Sequence, residues 1–307
     1  MIRALTSVLF AFLAQAAVAA DLDASKLRLA SANVLVLDAQ EGKALYAKAA
    51  DEVTPIASLT KLMTAMVVLD ANLPMDEVLS IDMDDFDYLK GSHSRLRMGA
   101  ALTRSEMLRL ALMSSENRAA SALARHYPGG TLAFVAAMNE KAMALGMTRT
   151  HYDDSTGLSP KNVSTANDLA KLVRAAADYP VIRDYSTTPS HLVEVQPTGQ
   201  TIGFNNSNAL VKNSAWDIQL QKTGYIREAG RCVVMLANIA SKPMVIVLLD
   251  SIGKFTRVAD AQRVKHWLET GEALPATAFR TVMKQQAPKG QPKRIQGKFA
   301  ANKSPKG

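Results

Sequence analysis

Apolar and polar positions along the chain predict two groups of strands separated by a group of helices. Apolar-rich runs at 33–38 and 43–47, joined by a turn at 39–42, predict a β-hairpin near the amino end. Strands are expected again further along, before an amphipathic helix at 256–270. After the hairpin, helices are expected at 107–113, 117–126, 131–145 and 165–179. The later strands are expected at 192–196, 217–223, 231–238 and 243–250.

This order of elements predicts an α+β fold, in which an antiparallel sheet is flanked by the first and last helices. An all-helical lobe is expected to be inserted between the strands of that sheet. The turn at 227–230 is expected to join two of the strands as an antiparallel pair. No linker rich in Gly or Pro divides residues 21–275, so these residues are expected to form one domain.

The segment 55–66 is expected to open a buried helix around which the chain is organised, because its apolar residues recur at helical spacing. Pro55 stops any helix from entering from upstream. Ser58 therefore falls in the first turn, where free N–H groups and the helix dipole favour an oxyanion. Lys61 lies one turn later on the same face, where burial would lower its pKa toward the neutral, basic form.

The two ends of the chain differ in composition from its body. A charged start, an apolar run at 5–18 and small residues at 17–20 are typical of a secretory signal peptide, so residues 1–20 predict export to the periplasm. The formal net charge of +8 comes from Arg3 and from seven Lys and Arg residues after position 283, a region without acids. Residues 276–307 are therefore expected to form a basic, disordered tail with a weak electrostatic attraction to an anionic envelope surface.

Several kinds of site find no support in the sequence. The five histidines are scattered singly and Cys232 is the only cysteine, so neither a metal-ligand set nor an intrachain disulfide is expected, and no cofactor is implied. Cys232 lies in an apolar run, which predicts a buried, unreactive thiol. No phosphate-binding glycine loop or Gly-x-Ser-x-Gly elbow is present. Because the body carries about zero net charge, a nucleic-acid-binding domain is disfavoured.

Three short motifs carry the candidate chemistry: Ser58-Leu59-Thr60-Lys61, Ser115-Glu116-Asn117 and Lys222-Thr223-Gly224. The second falls in a turn between two predicted helices, and the third ends a predicted strand. Each motif alone also has a purely structural interpretation. The first could be a helix cap followed by a solvated lysine, the second another helix cap, and the third a strand that runs into a turn. In this order, and on these elements, the three together are a strong indication of a catalytic site.

With these motifs the chain resembles the penicillin-binding proteins and serine β-lactamases. Over about residues 25–270 it looks like the low-molecular-mass D-Ala-D-Ala carboxypeptidases, which implies the penicillin-binding transpeptidase fold. Tyr225 and the segment 95–97 resemble the short periplasmic D-alanyl-D-alanine endopeptidases, the penicillin-binding protein 7 type. The wider likeness rests on the segments 55–64, 112–117, 154–158 and 164–169.

The resemblance implies catalytic roles for three residues. Ser58 would attack a D-alanyl carbonyl, and Lys61 would take its proton. Ser115 would pass a proton to the leaving amine, while Asn117 would hold Lys61 and the substrate amide. Glu116 stands where the family often has Asp or Gly, and its side chain is expected to point away from the cleft.

The resemblance also implies a substrate-binding role for the third motif. Lys222 would supply positive charge, and Thr223 would bond the substrate carboxylate. Gly224 would let the substrate backbone approach closely. The backbone N–H groups of Ser58 and Tyr225 would form the oxyanion hole, at about 3 kcal/mol per donor.

These expectations describe a serine DD-endopeptidase that hydrolyses D-alanyl crosslinks of peptidoglycan and is inhibited covalently by β-lactams. A D,D-carboxypeptidase that removes the terminal D-Ala of stem peptides is the alternative, since only the leaving group differs. A β-lactamase is disfavoured because no Glu-x-x-x-Asn signature lies between Asn117 and Lys222. A non-catalytic penicillin-binding sensor is disfavoured by the intact set of motifs.

Overall fold

The structure is a computed structural model that describes residues 22–274, and it contains seven α-helices and eleven strands in that part of the chain. The helices are α1 (Lys61–Asp70), α2 (Arg104–Met113), α3 (Asn117–Arg125), α4 (Gly130–Ala144), α5 (Ala166–Ala177), α6 (Pro180–Thr187) and α7 (Thr256–Thr270). The strands are β1 (Asn33–Asp38), β2 (Ala44–Lys48), β3 (Thr54–Pro55), β4 (Val78–Ser80), β5 (Ala101–Thr103), β6 (Val163–Ser164), β7 (Ser190–Val195), β8 (Gln200–Asn205), β9 (Asp217–Ile226), β10 (Gly230–Ile239) and β11 (Lys242–Ser251).

Five of the strands form an antiparallel sheet in the order β2-β1-β11-β10-β9. β1 pairs with the last strand along the chain, so that Val34 lies opposite Leu248. β9 has a neighbour in this sheet on one side only, and its other edge faces the turn that carries Ser58. The strand that carries the third motif therefore lies beside the first motif.

Successive residues of β1 face opposite sides of the sheet, as the two-residue period of a strand requires. Val36 is buried on the side where α7 packs, with Trp267 in the same core cluster. Leu35 is buried on the other side, in the cluster that includes Leu169 and Val173 of α5. A complete burial of one such apolar side chain contributes about 1.5 to 3 kcal/mol, so both faces of the sheet are held by apolar packing.

The α+β fold with an inserted helical lobe is confirmed, as are the first hairpin, the turn at 227–230 and the helix at 256–270. The packing of helices on the sheet differs in one respect from the prediction. The face opposite α7 is covered by α5 and not by the helix after Ser58. That helix, α1, is buried at every position from Lys61 to Val68 and packs among other helices. A helix that is apolar all round belongs inside a lobe.

Three local predictions were wrong. No helix was predicted at α6, which Pro180 begins, since a proline fits the first turn of a helix. β7 pairs with β8 in a separate hairpin, and β8 was missed because Gly203 and its polar neighbours hide the strand pattern. β9 continues to Ile226, so Lys222 and Gly224 lie within a strand and not at its end.

The expected signal peptide at 1–20 and the expected basic tail at 276–307 lie outside the described residues. Among residues 22–274, no helix is long and apolar enough to cross a membrane. Cys232 is buried, its thiol donates to the carbonyl oxygen of Ala229, and burial raises the pKa of the thiol to about 11.

Candidate active site

Ser58 lies on a short 3₁₀ turn, Ala57–Thr60, that leads directly into α1. The hydroxyl of Thr60 donates to the carbonyl oxygen of Ala57 at 2.8 Å and closes this turn. Ala57 has a φ of 49°, in the left-handed region that non-glycine residues rarely adopt. Ser58 is half-buried, so its hydroxyl lies at the surface of a groove. The sequence predicted Ser58 in the first turn of the helix, whereas the structure places it on the 3₁₀ turn that precedes α1.

Lys61 is completely buried, and its amine contacts three oxygen atoms. Its Nζ lies 3.0 Å from Ser58 Oγ, 2.7 Å from Asn117 Oδ1 and 2.6 Å from the carbonyl oxygen of Thr156. The amide and backbone oxygens can only accept. A neutral amine has two N–H bonds for these two acceptors, which leaves its lone pair for the proton of Ser58.

Burial lowers the pKa of Lys61 to about 8, although the negative charges of Asp154, Glu116 and Asp87 act in the opposite direction. Loss of hydration disfavours the ammonium form of a buried lysine. The amine is therefore neutral in about one molecule in ten at about pH 7, far more often than an ordinary lysine. A neutral lysine beside a serine hydroxyl is able to act as a general base.

The loop after α4 holds the carbonyl of Thr156 against Lys61. The carboxylate of Asp154 accepts hydrogen bonds from the backbone N–H groups of Thr156 and Ser159. Thr64 of α1 donates to the carbonyl oxygen of Ser155 at 2.6 Å and ties this loop to the helix that carries Lys61. The loop and the helix therefore keep one acceptor of the lysine in a fixed place.

Ser115 and Lys222 form a second pair of a hydroxyl and an amine. Lys222 Nζ lies 2.8 Å from Ser115 Oγ and 2.8 Å from the carbonyl oxygen of Thr223. Lys222 is completely buried, and its pKa is well below the usual value because of burial first, and then the positive charges of Lys61 and Arg257. Ser115 has a φ of 62°, so the turn between α2 and α3 is in the left-handed conformation where it presents this hydroxyl.

In the second motif, the side chain of Glu116 caps α3 and the side chain of Asn117 faces the active site. Glu116 is the N-cap of α3, and its carboxylate accepts the backbone N–H of Arg118, so Glu116 and not Asn117 is the cap. The side chain of Asn117 bonds instead to Lys61 and, through its NH₂ group, to the hydroxyl of Ser92 at 2.9 Å. The amide thus joins the lysine to the loop before β5.

Gly224 lies against the turn that carries Ser58. A Cβ atom at this position would be 2.9 Å from the carbonyl oxygen of Ile56 and 3.2 Å from the backbone nitrogen of Ser58. Only glycine allows so close an approach between β9 and the turn. Tyr225 follows with a side chain that is 56% exposed and that contacts the guanidinium of Arg231.

Several residues of the site were missed by the sequence analysis. Thr223 donates to Ser207 at 2.7 Å, and the guanidinium of Arg257 donates to the carbonyl oxygens of Gly224 at 3.1 Å and Cys232 at 3.2 Å. Burial lowers the pKa of Arg257 to about 10. The segment containing Thr156 was noticed for its resemblance, but nothing in the sequence indicated that its backbone carbonyl meets a lysine.

The structure therefore brings the three motifs to one groove between the edge of β9 and the helical lobe. Two amines with lowered pKa each contact one serine hydroxyl there. This arrangement is suited to nucleophilic acyl transfer, with one hydroxyl as nucleophile and the other as proton carrier.

A family model described as D-alanyl-D-alanine carboxypeptidase matches residues 19–253. The chain is 53% identical over 252 residues to a D-alanyl-D-alanine endopeptidase of Pseudomonas aeruginosa, covering 81% of each chain. It is 47% identical over 280 residues to the Escherichia coli protein of the same name, covering 91% of this chain and 90% of that one. The crystal structure of a Streptomyces DD-transpeptidase matches with a TM-score of 0.74 and 29% identity, covering 79% of this chain and 98% of that one. The chain therefore belongs to the D-alanyl-D-alanine carboxypeptidase family of peptidases.

Proposed function

We propose that this chain is a serine DD-endopeptidase that hydrolyses D-alanyl crosslinks of peptidoglycan through an acyl-enzyme. The observation that carries the proposal is the buried amine of Lys61, whose two acceptor-only neighbours leave a lone pair for the proton of Ser58. Relatives at 47% and 53% identity with the endopeptidase name support the same activity.

Acylation begins when Ser58 Oγ attacks the carbonyl carbon of a D-alanyl residue and its proton passes to Lys61 Nζ. The carbonyl oxygen becomes negative, and the N–H groups of Ser58 and Tyr225 stabilise it at about 3 kcal/mol each. The C–N bond then breaks, and the leaving nitrogen takes a proton from Ser115. Lys222, at 2.8 Å, returns a proton to that hydroxyl, and the proton that Lys61 took from Ser58 then replaces it at Lys222, so both amines recover their starting state before water attacks.

Hydrolysis completes the cycle. Lys61 takes a proton from a water molecule, and the oxygen of that water attacks the ester carbon. The ester bond to Ser58 breaks, and Oγ regains a proton from Lys61. Because the base is neutral again after each half of the reaction, one lysine serves both steps.

Substrate binding uses the third motif and Asn117. In this proposal Thr223 bonds the carboxylate beside the scissile bond, and Lys222 supplies positive charge. The backbone of Gly224 lies close to the substrate chain, and the side-chain amide of Asn117 bonds a substrate amide. A β-lactam presents its carbonyl in the same groove, but its leaving nitrogen stays tethered and is expected to obstruct water, so the ester persists.

A D,D-carboxypeptidase is the second candidate, because the matched family carries that description and the chemistry of the two reactions is shared. Incubation with purified crosslinked muropeptide dimers separates the candidates. Appearance of monomers supports the endopeptidase. Loss of terminal D-Ala with the dimers left intact would contradict it and favour the carboxypeptidase.

We further propose that residues 21–275 are the catalytic domain and that the enzyme works in the periplasm after removal of residues 1–20. The support is the signal-peptide pattern at the amino end. The basic tail at 276–307 is proposed to hold the enzyme weakly at an anionic envelope surface. Amino-terminal sequencing of the protein purified from the periplasm would test the first boundary.

A further inference from the structure

A cavity of about 380 Å³ lies immediately behind the turn that presents Ser115. Ser114 and Glu116, the two neighbours of that serine, line one side of it. The other sides are formed by residues 93–95, which precede β5, and by Phe204 and Asn205 at the end of β8. The cavity therefore lies beside the turn that carries the proposed proton donor to the leaving group.

Both of its outer walls are tied to the active site. Residue 93 follows Ser92, which accepts a hydrogen bond from Asn117 at 2.9 Å. Asn205 lies two residues before Ser207, which bonds Thr223 at 2.7 Å. Two walls of the cavity are thus connected, through one or two residues of the chain, to side chains that bond Asn117 and Thr223.

The cavity carries charges of both signs. The guanidinium of Arg95, an exposed residue, lies over the ring of Phe204, 4.1 Å from its centre, and donates to the carbonyl oxygen of Gly203. Glu116 on the opposite wall is only 7% exposed. A guanidinium that packs on a ring and bonds one carbonyl retains further N–H donors for a carboxylate ligand, and part of its conformational entropy is lost before that ligand binds.

We propose that this cavity is the subsite for the leaving strand of the crosslink, a peptide that carries a further free carboxylate besides the one that Thr223 bonds, and that Arg95 binds this further carboxylate. The proposal rests on the endopeptidase function and deepens it. A carboxypeptidase releases free D-Ala, which ends beside Ser115 and has no further chain to fill the cavity. An endopeptidase releases a peptide that continues beyond this point.

The test compares Arg95→Ala with Arg97→Ala, a matched control that removes the same charge from an exposed position in the same loop outside the cavity. Three readouts are measured: cleavage of crosslinked muropeptide dimers, release of D-Ala from uncrosslinked pentapeptide, and acylation by fluorescent penicillin. For Arg95→Ala the KM for the dimer is expected to rise about tenfold, as for loss of one charge-assisted hydrogen bond, with kcat little changed. The other two readouts, and all three for Arg97→Ala, are expected to stay within about twofold of wild type.

A second variant, Asn205→Asp, keeps the shape of the wall and adds a negative charge, so it should also raise the KM for the dimer selectively. If Arg95→Ala fails to fold, which loss of penicillin labelling would show, the KM of Asn205→Asp for the dimer tests the subsite instead. Wild-type-like dimer cleavage in the folded variants would overturn the subsite alone. A wild-type protein that releases D-Ala but leaves dimers intact would overturn the endopeptidase function and, with it, the subsite.

Discussion

The amine of Lys61 lies 3.0 Å from the hydroxyl of Ser58, and its other two contacts are the acceptor oxygens of Asn117 and Thr156. The three contacts make Ser58 the one partner that is able to give this amine a proton. The same burial that excludes water from Lys61 lowers its pKa to about 8. The pair is therefore prepared for proton transfer before substrate arrives.

Replacement of Ser58 by alanine is expected to abolish covalent labelling by fluorescent penicillin. The change removes the proposed nucleophile and one half-exposed oxygen, so the thermal unfolding temperature should change little. Gel fluorescence after incubation measures the label. The exposed Ser25→Ala variant serves as control and should label like wild type. Labelling that persists in Ser58→Ala would remove this serine from the role.

The rate of acylation is expected to rise with pH, because only the neutral form of Lys61 accepts the serine proton. Below the lowered pKa of about 8 the rate should grow about tenfold per pH unit, and above it the rate should level off. Stopped-flow labelling from pH 6 to about pH 9 measures the profile. Glu116→Gln removes a negative charge that favours the ammonium form, so its midpoint should lie at lower pH. A rate independent of pH over this range would argue against lysine as base.

Two substitutions of Ser115 separate its chemical role from its backbone strain. Ser115→Ala and Ser115→Gly both remove the hydroxyl, and each should slow dimer cleavage by about 10² to 10⁴. The φ of 62° suits glycine better than alanine, so Ser115→Gly should be the more stable of the two by up to about 1 kcal/mol. Kinetics and urea unfolding measure the two effects. Equal activity of either variant and wild type would exclude the proton-transfer role.

Gly157→Ala is expected to damage both stability and labelling. A Cβ there would be 2.0 Å from the carbonyl oxygen of Ala57 and 2.8 Å from the backbone nitrogen of Ser58, and the φ of 81° disfavours alanine as well. The combined cost should be about 2 to 5 kcal/mol.

Gly146→Ala is the matched control, because its φ of 68° is similar and no atom lies within 4 Å of the added carbon. It should cost about 1 to 2 kcal/mol and label normally. Urea unfolding and penicillin labelling measure both variants. Similar losses in the two would mean that the contact at the Ser58 turn is unimportant.

Removal of the chain after Arg280 is expected to weaken retention of the enzyme by envelope membranes at low salt. The removed segment carries seven basic residues and no acid, and salt screens such an attraction. Fractionation of full-length and shortened protein at low and high ionic strength measures it. If both fractionate alike at low salt, the tail has no such role.

The fold was predictable where local patterns are strong. The apolar run of β1, the helical pattern at 165–179 and the amphipathic α7 all gave correct elements. The choice of α5 to cover the sheet was not predictable, because a pattern shows that a helix has an apolar face but not which partner buries it. β8 escaped because its short polar pairing has no clear alternation.

Some residues of the candidate site were likewise predictable from the sequence and others were not. Ser58, Lys61, Ser115 and Lys222 were identifiable because their side chains and spacing form a motif. The carbonyl of Thr156 has no sequence signature, since every residue offers one and only the folded chain decides where it points. The contribution of Arg257 depends on a long-range contact to β9 and was equally hidden.

Because β1 is paired with β11, the central part of the sheet needs strands from both ends of the described chain. Pairing between segments so far apart is slow and is completed late in folding. A growing or shortened polypeptide that lacks β11 has Ser58 but lacks the central strand of the sheet that places Lys222 beside Ser115. Catalytic competence should thus appear abruptly, only when nearly all of the polypeptide is present, and fragments should be harmless to the wall around them.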